Sequence, residues 1–225
     1  MQFDVISLFP ELVENYCSMG ILGRAFSEKR VCLNTIQLRD FGIGKYKKVD
    51  NEIYGGGVGM LLRPEPIFAA HRSVKKLPKC KTILLSPSGQ TLTQPFIREE
   101  LLPQEQLIIL CGRYEGFDER VMSIVDHKLS IGNYVLTGGE IGAMIIIDSV
   151  TRLIEGVLPK GQLAHGMDSF ADPEGELLEP PQYTRPEEFE GMKVPPVLLS
   201  GNHPEIENWR RQNSEKYGKK SLAEE

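Results

Sequence analysis

The sequence predicts an α/β fold with a mostly parallel sheet. Along residues 1–158, short apolar runs alternate with segments of helical pattern, the order that a parallel sheet with crossover helices requires. Hydrophobic residues make up 40% of the 225-residue chain and charged residues 25%, enough for a packed core of ordinary size. We expect this domain to span 1–158, followed by a flexible linker over 159–181 and a small helical domain over 182–225.

The predicted strands are apolar runs or alternating segments. Phe3–Phe9 is almost continuously apolar, as a strand buried on both faces should be. In parallel sheets, ligands bind beyond the carboxyl ends of the strands, so the loops after Leu85, Cys111 and Leu136 are the expected ligand site. The complete set is Phe3–Phe9, Val31–Leu38, Thr82–Leu85, Leu107–Cys111 and Leu129–Leu136, the last broken by Gly132.

The first helix is predicted to begin at Pro10 and to end at Gly20. Phe41–Met60 is rich in Gly and Lys and is predicted to be a long loop. The predicted helices of the first domain are Pro10–Gly20, Pro64–Val74, Gln94–Leu102, Phe117–Val125 and a long helix within Gly138–Gly156.

The last third of the chain changes character. Pro159–Pro181 is rich in Pro and Gly and is predicted to be an interdomain linker or a mobile loop. Thr184 and Glu187 form a capping-box pattern, which predicts a helix that Gly191 would end. Pro204 should begin another helix, which carries Ile206, Trp209, Asn213 and Tyr217 at helical spacing.

Composition excludes several classes of protein. The N-terminus lacks the pattern of a secretory signal, and the longest dense apolar stretch, Ala143–Ile147, is far too short to cross a bilayer. The four cysteines form no C-x-x-C pair, which argues against a zinc site or a disulfide framework and favours the cytoplasm. The four histidines are dispersed and give no metal pattern. The net charge of -5 does not suggest a nucleic-acid partner, so RNA binding would need local basic patches.

Three glycine-containing loops are candidate ligand sites, and each has a plainer interpretation. Tyr54–Met60 could bring backbone close to a ligand, but it lacks the G-x-G-x-x-G spacing and could equally be a flexible loop. Cys111–Gly116 offers a cation, an aromatic ring and a carboxylate after a buried strand, and a tight turn is an equal alternative. Ser130–Glu140 could present backbone groups to a purine, or could simply connect two strands.

Spacing alone singles out neither Arg152 nor Asp168. Arg152 follows Asp148 by four residues, which favours an ordinary polar stripe on a helix over catalysis. Asp168 lies in a Gly-rich segment, where aspartate usually caps a turn. Basic residues cluster around Lys45–Lys48 and Lys75–Lys81, and at the C-terminus with Trp209 and Tyr217. This last mixture suits RNA, although a solvated helix face is possible.

Taken together, these segments resemble the bacterial tRNA (guanine-N1)-methyltransferase family, of the trefoil-knotted SPOUT class. The match depends on many long motifs in one order, extending from Ile6 to about Arg211. The motifs are Ile6–Glu11, Arg39–Phe41, Val49–Asp50, Tyr54–Met60, Leu85–Pro87, Cys111–Gly116, Ser130–Glu140, Asp168–Phe170, Tyr183–Pro186 and Val194–His203.

The resemblance implies a deep knot, a homodimer with sites built from both subunits, and methyl transfer from S-adenosylmethionine to N1 of guanine 37 in tRNA. Asp168 matches the family's general base and Arg152 its catalytic arginine. Magnesium is implied as a possible requirement, without a ligand set, and neither DNA nor a membrane is expected as a partner. The implied cofactor-binding positions are Leu84, Leu85, Ser86, Pro87, Gly112, Tyr114, Glu115, Ile131, Gly132, Asn133, Tyr134, Val135, Leu136, Gly138 and Gly139.

The sequence departs from the family pattern at two places. Asn133 stands where many members have Asp, so one polar contact near the cofactor should differ. Many members also continue beyond the point where this sequence stops, which bears on tRNA affinity rather than on chemistry. Three alternatives remain: a knotted methyltransferase for another RNA or base, a non-catalytic RNA-binding module, and a nucleotide-dependent metabolic enzyme. The last is disfavoured because Rossmann and P-loop patterns are missing.

Overall fold

The computed structural model describes residues 1–158 and 168–222, with side chains up to residue 214. The chain divides into two compact units, Met1–Pro159 and Lys160–Glu225. The strands of the first unit are β1 (Gln2–Ser7), β2 (Cys32–Gln37), β3 (Asp50–Glu52), β4 (Met60–Leu62), β5 (Cys80–Thr91), β6 (Gln106–Leu110) and β7 (His127–Ser130). Its helices are α1 (Pro10–Cys17), α2 (Gly20–Ser27), α3 (Pro64–Ser73), α4 (Gln94–Phe96) and α5 (Glu140–Thr151), and 3-10 turns cover Leu38–Phe41 and Glu119–Ile124.

Five strands form the central sheet in the order β2-β1-β6-β5-β7, and every neighbouring pair is parallel. The predicted α/β fold with a mostly parallel sheet is therefore confirmed. Successive residues of a strand point to opposite faces, so the sheet separates two apolar clusters. Ile83 and Ile109 pack with α5 on one face, whereas Leu84 and Ile108 pack with α3 on the other.

Several element boundaries differ from the prediction. Gly20 was expected to end a helix, but α1 stops at Cys17 and Gly20, with φ +59°, begins α2. The predicted loop Phe41–Met60 contains β3, and β4 begins at its last residue, so the two strands form a hairpin. The helix predicted from Gln94 is present and continues as a π turn over Ile97–Leu101, while the one predicted over Phe117–Val125 is a 3-10 turn.

The two strands nearest the sheet edge also differ from prediction. β5 continues to Thr91, well past the predicted end at Leu85, through an irregularity between Leu85 and Gln90 opposite β7. β7 starts at His127 and ends at Ser130, so residues 131–136, predicted to be extended, are irregular. Gly132 has φ +142°, a conformation that few side chains tolerate, and it turns the chain away from the sheet.

The second unit contains a hairpin where a helix was predicted. Its elements are β8 (Glu188–Phe189), β9 (Met192–Lys193), α6 (Pro196–Leu199) and α7 (His203–Leu222). The helix predicted over Thr184–Gly191 is wrong, because Glu190 (φ +52°) and Gly191 (φ +78°) form a two-residue turn joining antiparallel strands. Positive φ at both central positions is the type I′ geometry that hairpins prefer. The helix predicted from Pro204 is confirmed as α7.

Of the predicted linker, residues 159–167 lie outside the described residues. The part that is described, from residue 168 to 181, contains hydrogen-bonded turns rather than helix or strand. Asp172 holds this segment together, because its carboxylate accepts hydrogen bonds from the backbone N–H groups of Glu176 and Leu177.

Candidate functional site

A cavity of about 450 Å³ opens at the carboxyl ends of β5, β6 and β7. Three loops line it: the irregular stretch of β5, the loop after β6 and the loop after β7. This is where ligands bind in parallel sheets, and the size is typical of a small-molecule site. Fourteen of the fifteen predicted cofactor positions line the cavity; the exception, Asn133, is exposed and is not part of the lining.

The loop after β6 is supported by the hairpin that the sequence did not predict. The backbone N–H of Glu115 donates to the carbonyl of Met60 (2.9 Å), and the N–H of Leu62 donates to the carbonyl of Gly116 (2.9 Å). The N–H of Asp118 then donates to Leu62 (3.1 Å). The cavity loop therefore extends the β3–β4 hairpin, which carries the Gly-rich segment 53–59. No local pattern indicated this pairing, because β4 and the loop are about fifty residues apart.

The loops after β6 and β7 approach each other through glycines. The N–H of Gly139 donates to the carbonyl of Gly112 (2.9 Å). A Cβ on Gly139 would lie 2.8 Å from the Cα of Cys111, and a Cβ on Gly138 would lie 2.3 Å from Nε of Arg113. Close approach of the two loops therefore requires the absence of a side chain at both positions.

One buried ion pair joins the same loops to β1. Glu140, the first residue of α5, is only 1% exposed, and its Oε2 lies 2.9 Å from Nη2 of Arg113. The hydroxyl of Ser7 donates to Oε1 of Glu140 (2.6 Å), and Nη1 of Arg113 donates to the carbonyl of Thr137 (3.2 Å). The guanidinium also stacks 4.5 Å from the ring centroid of Phe9. Sequence reasoning assigned no role to Glu140 or Ser7, since their sequence positions are 133 residues apart.

The thiol of Cys111, next to the cavity, is expected to be unreactive. Cys111 directly follows β6, next to the glycine contact, and burial raises the pKa of its thiol well above the usual value. A protonated, enclosed thiol is a poor nucleophile. Methyl transfer through a cysteine intermediate is therefore disfavoured at this position.

The two predicted catalytic residues belong to different units. Arg152 follows the last turn of α5 as its cap; its N–H donates to the carbonyl of Asp148 (3.0 Å), and its side chain is half-buried. The carboxylate of Asp148 accepts a hydrogen bond from the Tyr16 hydroxyl on α1. Asp168 begins a turn in the second unit, where its carbonyl accepts from the N–H of Ala171 (3.1 Å). Their joint role remains a prediction.

The second unit has a larger cavity of its own, of about 910 Å³. Asp168 lines it, together with the aromatic and basic residues of α7, Trp209, Arg210 and Arg211. The rings of Trp209 and Tyr183 are tilted with centroids 6.4 Å apart. Flat rings beside guanidinium groups are the chemistry that stacks bases and neutralises phosphates.

Residues 1–158 and 168–222 contain neither a grouped set of metal ligands nor a membrane-spanning helix. In that part of the chain, no three His, Cys, Asp or Glu side chains are grouped so as to hold a metal ion. Nor is any described helix long and apolar enough to span a membrane.

Comparison with known proteins gives a consistent result over nearly the whole sequence. The family model described as tRNA (Guanine-1)-methyltransferase TrmD matches residues 1–223. A tRNA (guanine-N(1)-)-methyltransferase of Caldanaerobacter subterraneus is 51% identical over 214 residues, covering 95% of this chain and 87% of the relative. Proteins of the same name from Trichormus variabilis and Trichodesmium erythraeum are 48% and 50% identical. The first alignment covers 93% of this chain and 84% of the relative, and the second covers 94% and 92%.

Proposed function

The chain belongs to the tRNA (guanine-1)-methyltransferase family, and on that premise we propose that it methylates N1 of guanine 37 in tRNA, next to the anticodon, using S-adenosylmethionine. The observation that carries the proposal is the family match over residues 1–223. The cavity lined by glycines offers a site for the methyl donor. The reaction is the transfer of a methyl group to a nitrogen of a tRNA base.

The cavity suits S-adenosylmethionine. Gly112, Gly138 and Gly139 expose backbone where added Cβ atoms would collide with neighbouring protein atoms, and Leu85 and Leu136 supply apolar surface for a purine. Glu115 adds a carboxylate to the lining, which is compatible with a donor that carries positive charge. When bound, S-adenosylmethionine supplies an electrophilic methyl group on a sulfonium. The protein's contribution is to hold donor and guanine in line.

Asp168 and Arg152 have distinct chemical tasks in this proposal. Guanine N1 carries a proton and is a poor nucleophile until that proton is removed. A carboxylate within hydrogen-bond reach can accept the proton, and we assign this to Asp168. Negative charge then develops on the guanine, partly at O6, where a guanidinium such as that of Arg152 can stabilise it. The target base must leave its stack to reach these groups.

A trefoil knot over the cavity loops is part of the proposal. In support, the chain leaves β7 at the sheet edge, passes the end of β6 at Gly139, and begins α5 beside Ser7 of β1. The segment 131–139 thus travels back across two inner strands before α5 starts. A return path of this kind across the strand ends is the part of a threaded chain that these contacts support.

We further propose that the enzyme is a homodimer. The α1–α5 face of the first unit carries apolar side chains at helical spacing that remain exposed: Leu12 (47%) and Tyr16 (38%) on α1, and Ile141 (50%) and Ile145 (38%) on α5. Grouped exposed side chains of this kind favour an isologous contact with a second copy. The variant Ile145→Glu should give monomers in sedimentation equilibrium and lose activity. A fully active monomer would contradict the proposal.

The described residues do not fit a resident magnesium site, since no group of carboxylates is placed to hold the ion. No step is therefore assigned to a metal.

The deciding experiment is single-turnover methylation of unmodified tRNA with labelled S-adenosylmethionine, followed by mapping of the modified base. The wild-type protein should label N1 of guanine 37; a label on another base or RNA would favour a knotted methyltransferase of different specificity. Asp168→Ala should lower the rate about a hundredfold or more and recover partly at high pH, where N1 loses its proton unaided. Arg152→Ala should also be slow, with less recovery at high pH.

A matched variant distinguishes a role of Asp168 as general base from a structural role of the loop that carries it. Asp172→Asn keeps one oxygen, which can still accept from the Glu176 and Leu177 amides, while it removes a carboxylate four residues from Asp168. Its rate should stay within a few-fold of wild type. If Asp168→Ala equals wild type at neutral pH, or both variants are equally slow, the assignment of the base is wrong. A protein that binds donor and tRNA but transfers nothing would be the non-catalytic alternative.

A further inference from the structure

We propose that Glu140 is a positioning residue for the methyl-donor cavity, acting through Arg113. It lies outside the lining, yet its carboxylate anchors Arg113, a side chain that bridges the two cavity loops. The inference rests on the proposed function, because its effect is expected in the affinity for the donor. It gives a specific task to a buried carboxylate that the methyl-transfer chemistry does not use.

The geometry places Glu140 where three distant parts of the chain meet. Its Oε1 accepts from Ser7 Oγ (2.6 Å) and from Arg113 Nε (3.2 Å), while its Oε2 pairs with Arg113 Nη2 (2.9 Å). The guanidinium therefore meets both carboxylate oxygens, through one hydrogen bond from Nε and one ion-pair contact from Nη2, while the buried Oε2 has no hydrogen-bond partner among the described residues. Contact at two atoms restricts the orientation of the guanidinium as well as its distance. The residue also begins α5, where the helix dipole favours a negative charge.

Arg113 connects the anchored carboxylate of Glu140 to the loop after β7. With two of its nitrogens on Glu140, the third, Nη1, reaches the carbonyl of Thr137 (3.2 Å) in the loop after β7. The plane of the guanidinium rests on the Phe9 ring, 4.5 Å from its centroid. The side chain therefore spans from its own loop after β6 to the opposite wall of the cavity.

The contact leaves little room for adjustment. Gly138 follows Thr137, and a Cβ there would lie 2.3 Å from Arg113 Nε and 2.6 Å from Glu140 Oε2. The loop is thus folded directly over the ion pair. The side chain of Arg113 is 19% exposed and that of Glu140 2%, so each charge depends on the other for stabilisation. Without the carboxylate, the guanidinium should swing toward the water in the cavity and release Thr137.

The test is donor binding by isothermal titration calorimetry with S-adenosylmethionine, combined with steady-state kinetics. Glu140→Gln preserves shape and removes the charge, and should weaken binding about tenfold, since loop positions matter at sub-ångström scale. KM for the donor should rise about as much, whereas kcat at saturating donor should stay within about threefold. Arg113→Lys cannot span both partners and should behave alike. Because both changes break one contact, the double variant should lose scarcely more than either single variant.

Glu28→Gln is the matched control. Glu28 pairs with Arg30 (2.8 Å) on the surface of the first unit and lies outside the cavity lining, so its removal should leave donor affinity unchanged. Ser7→Ala removes one hydrogen bond to Glu140 without unpairing a charge and should weaken donor binding less than Glu140→Gln. If Glu140→Gln fails to fold, Arg113→Lys and Ser7→Ala decide the question.

The outcomes separate the inference from the proposed function. Donor binding by wild type together with unchanged affinity in Glu140→Gln, or in both fallback variants, would overturn the inference alone. A lower kcat with an unchanged KM, or additive losses in the double variant, would also overturn it, because the pair would then not act as one positioning contact. A well-folded wild-type protein that binds no donor would overturn the proposed function, and the inference with it.

Discussion

The substitution Gly139→Ala tests how closely the cavity depends on the approach of its two loops. Gly139 has φ -84° and ψ -7°, an ordinary helical conformation that alanine adopts freely. Backbone strain is therefore not an issue, and any effect must come from the added methyl group. That group would lie 2.8 Å from both Cys111 Cα and the backbone N of Gly112.

Both of the atoms that the added methyl group would contact belong to the backbone, so neither can rotate away. Restoring ordinary contact requires the loops to separate by about 0.6 Å, which also stretches the hydrogen bond from Gly139 N–H to the Gly112 carbonyl. Binding sites tolerate displacements of only about 0.5 Å before affinity falls. We expect donor affinity to drop about tenfold, which corresponds to roughly 1.4 kcal/mol. Overpacking should also lower the free energy of unfolding by about 1–3 kcal/mol.

Gly142→Ala provides the contrast. Its added methyl group would lie 3.0 Å from the Cδ1 atom of Leu85, the end of a flexible side chain that can rotate aside. Alanine is also favoured over glycine in a helix interior by about 1 kcal/mol. Donor affinity measured by calorimetry should therefore change less than for Gly139→Ala. If Gly139→Ala binds the donor within twofold of wild type, the loop contact does not control the cavity and the reasoning is refuted.

Three further measurements test other parts of the structure. In the native protein, a thiol reagent should label exposed Cys32 well before buried Cys111, whose raised pKa keeps it protonated; equal rates in denaturant are the control. The hydrogen bond to an α5 carboxylate raises the pKa of Tyr16 to about 12, so the native state holds this proton more tightly than an unfolded chain. The contribution of this hydrogen bond to the free energy of unfolding should be lost between about pH 10 and 12. In an ultraviolet titration, Tyr16→Phe should lack the phenol ionisation that the wild-type protein shows near pH 12. Changing Arg210 and Arg211 to Ala should weaken tRNA binding and flatten its salt dependence by about one unit of slope per lost phosphate contact; an unchanged slope would assign the contact to another surface.

The parallel sheet could be predicted from sequence because its signals are local. In β6, the apolar run Leu107–Leu110 follows Gln106, all five residues are buried, and such a short run between turn segments is typical of a central strand. α3 begins with Pro64, whose missing N–H costs nothing at a helix start. The position of the cavity followed from the same logic, since strand ends in a parallel sheet converge on one edge.

The misassigned elements are those in which a local pattern was ambiguous. Thr184 and Glu187 have the spacing of a capping box, but the Glu190–Gly191 pair next to Phe189 and Met192 also has the pattern of a tight hairpin. β5 was predicted too short because Pro87 and Gly89 normally stop a strand. Instead the strand continues past them, and a Cβ on Gly89 would lie 2.6 Å from the β7 backbone.

The loop supports and the buried ion pair could not have been predicted, because they join residues that only the tertiary fold brings together. Ser7, Arg113 and Glu140 carry no pattern of their own, and β4 meets the loop after β6 only when the sheet order is established. The functional assignments of Asp168 and Arg152 came from family resemblance, since their local settings are those of an ordinary turn and an ordinary helix end.

The residues that line the cavity are far apart in the sequence, and donor binding should therefore stabilise the folded protein by a measurable amount. The lining comes mainly from residues 84–88, 112–119, 128–132 and 134–139, which are adjacent only in the native first unit. An unfolded chain therefore offers no donor site, and binding must raise the free energy of unfolding by about 2.7 kcal/mol at a hundredfold excess over Kd. Scanning calorimetry with increasing S-adenosylmethionine should show a rising Tm, and at equal donor concentration the rise should be smaller for Gly139→Ala, because its Kd is larger. If Tm does not change at a concentration where calorimetric titration shows saturation, the donor binds a surface that survives unfolding, and the cavity between these loops is not its site.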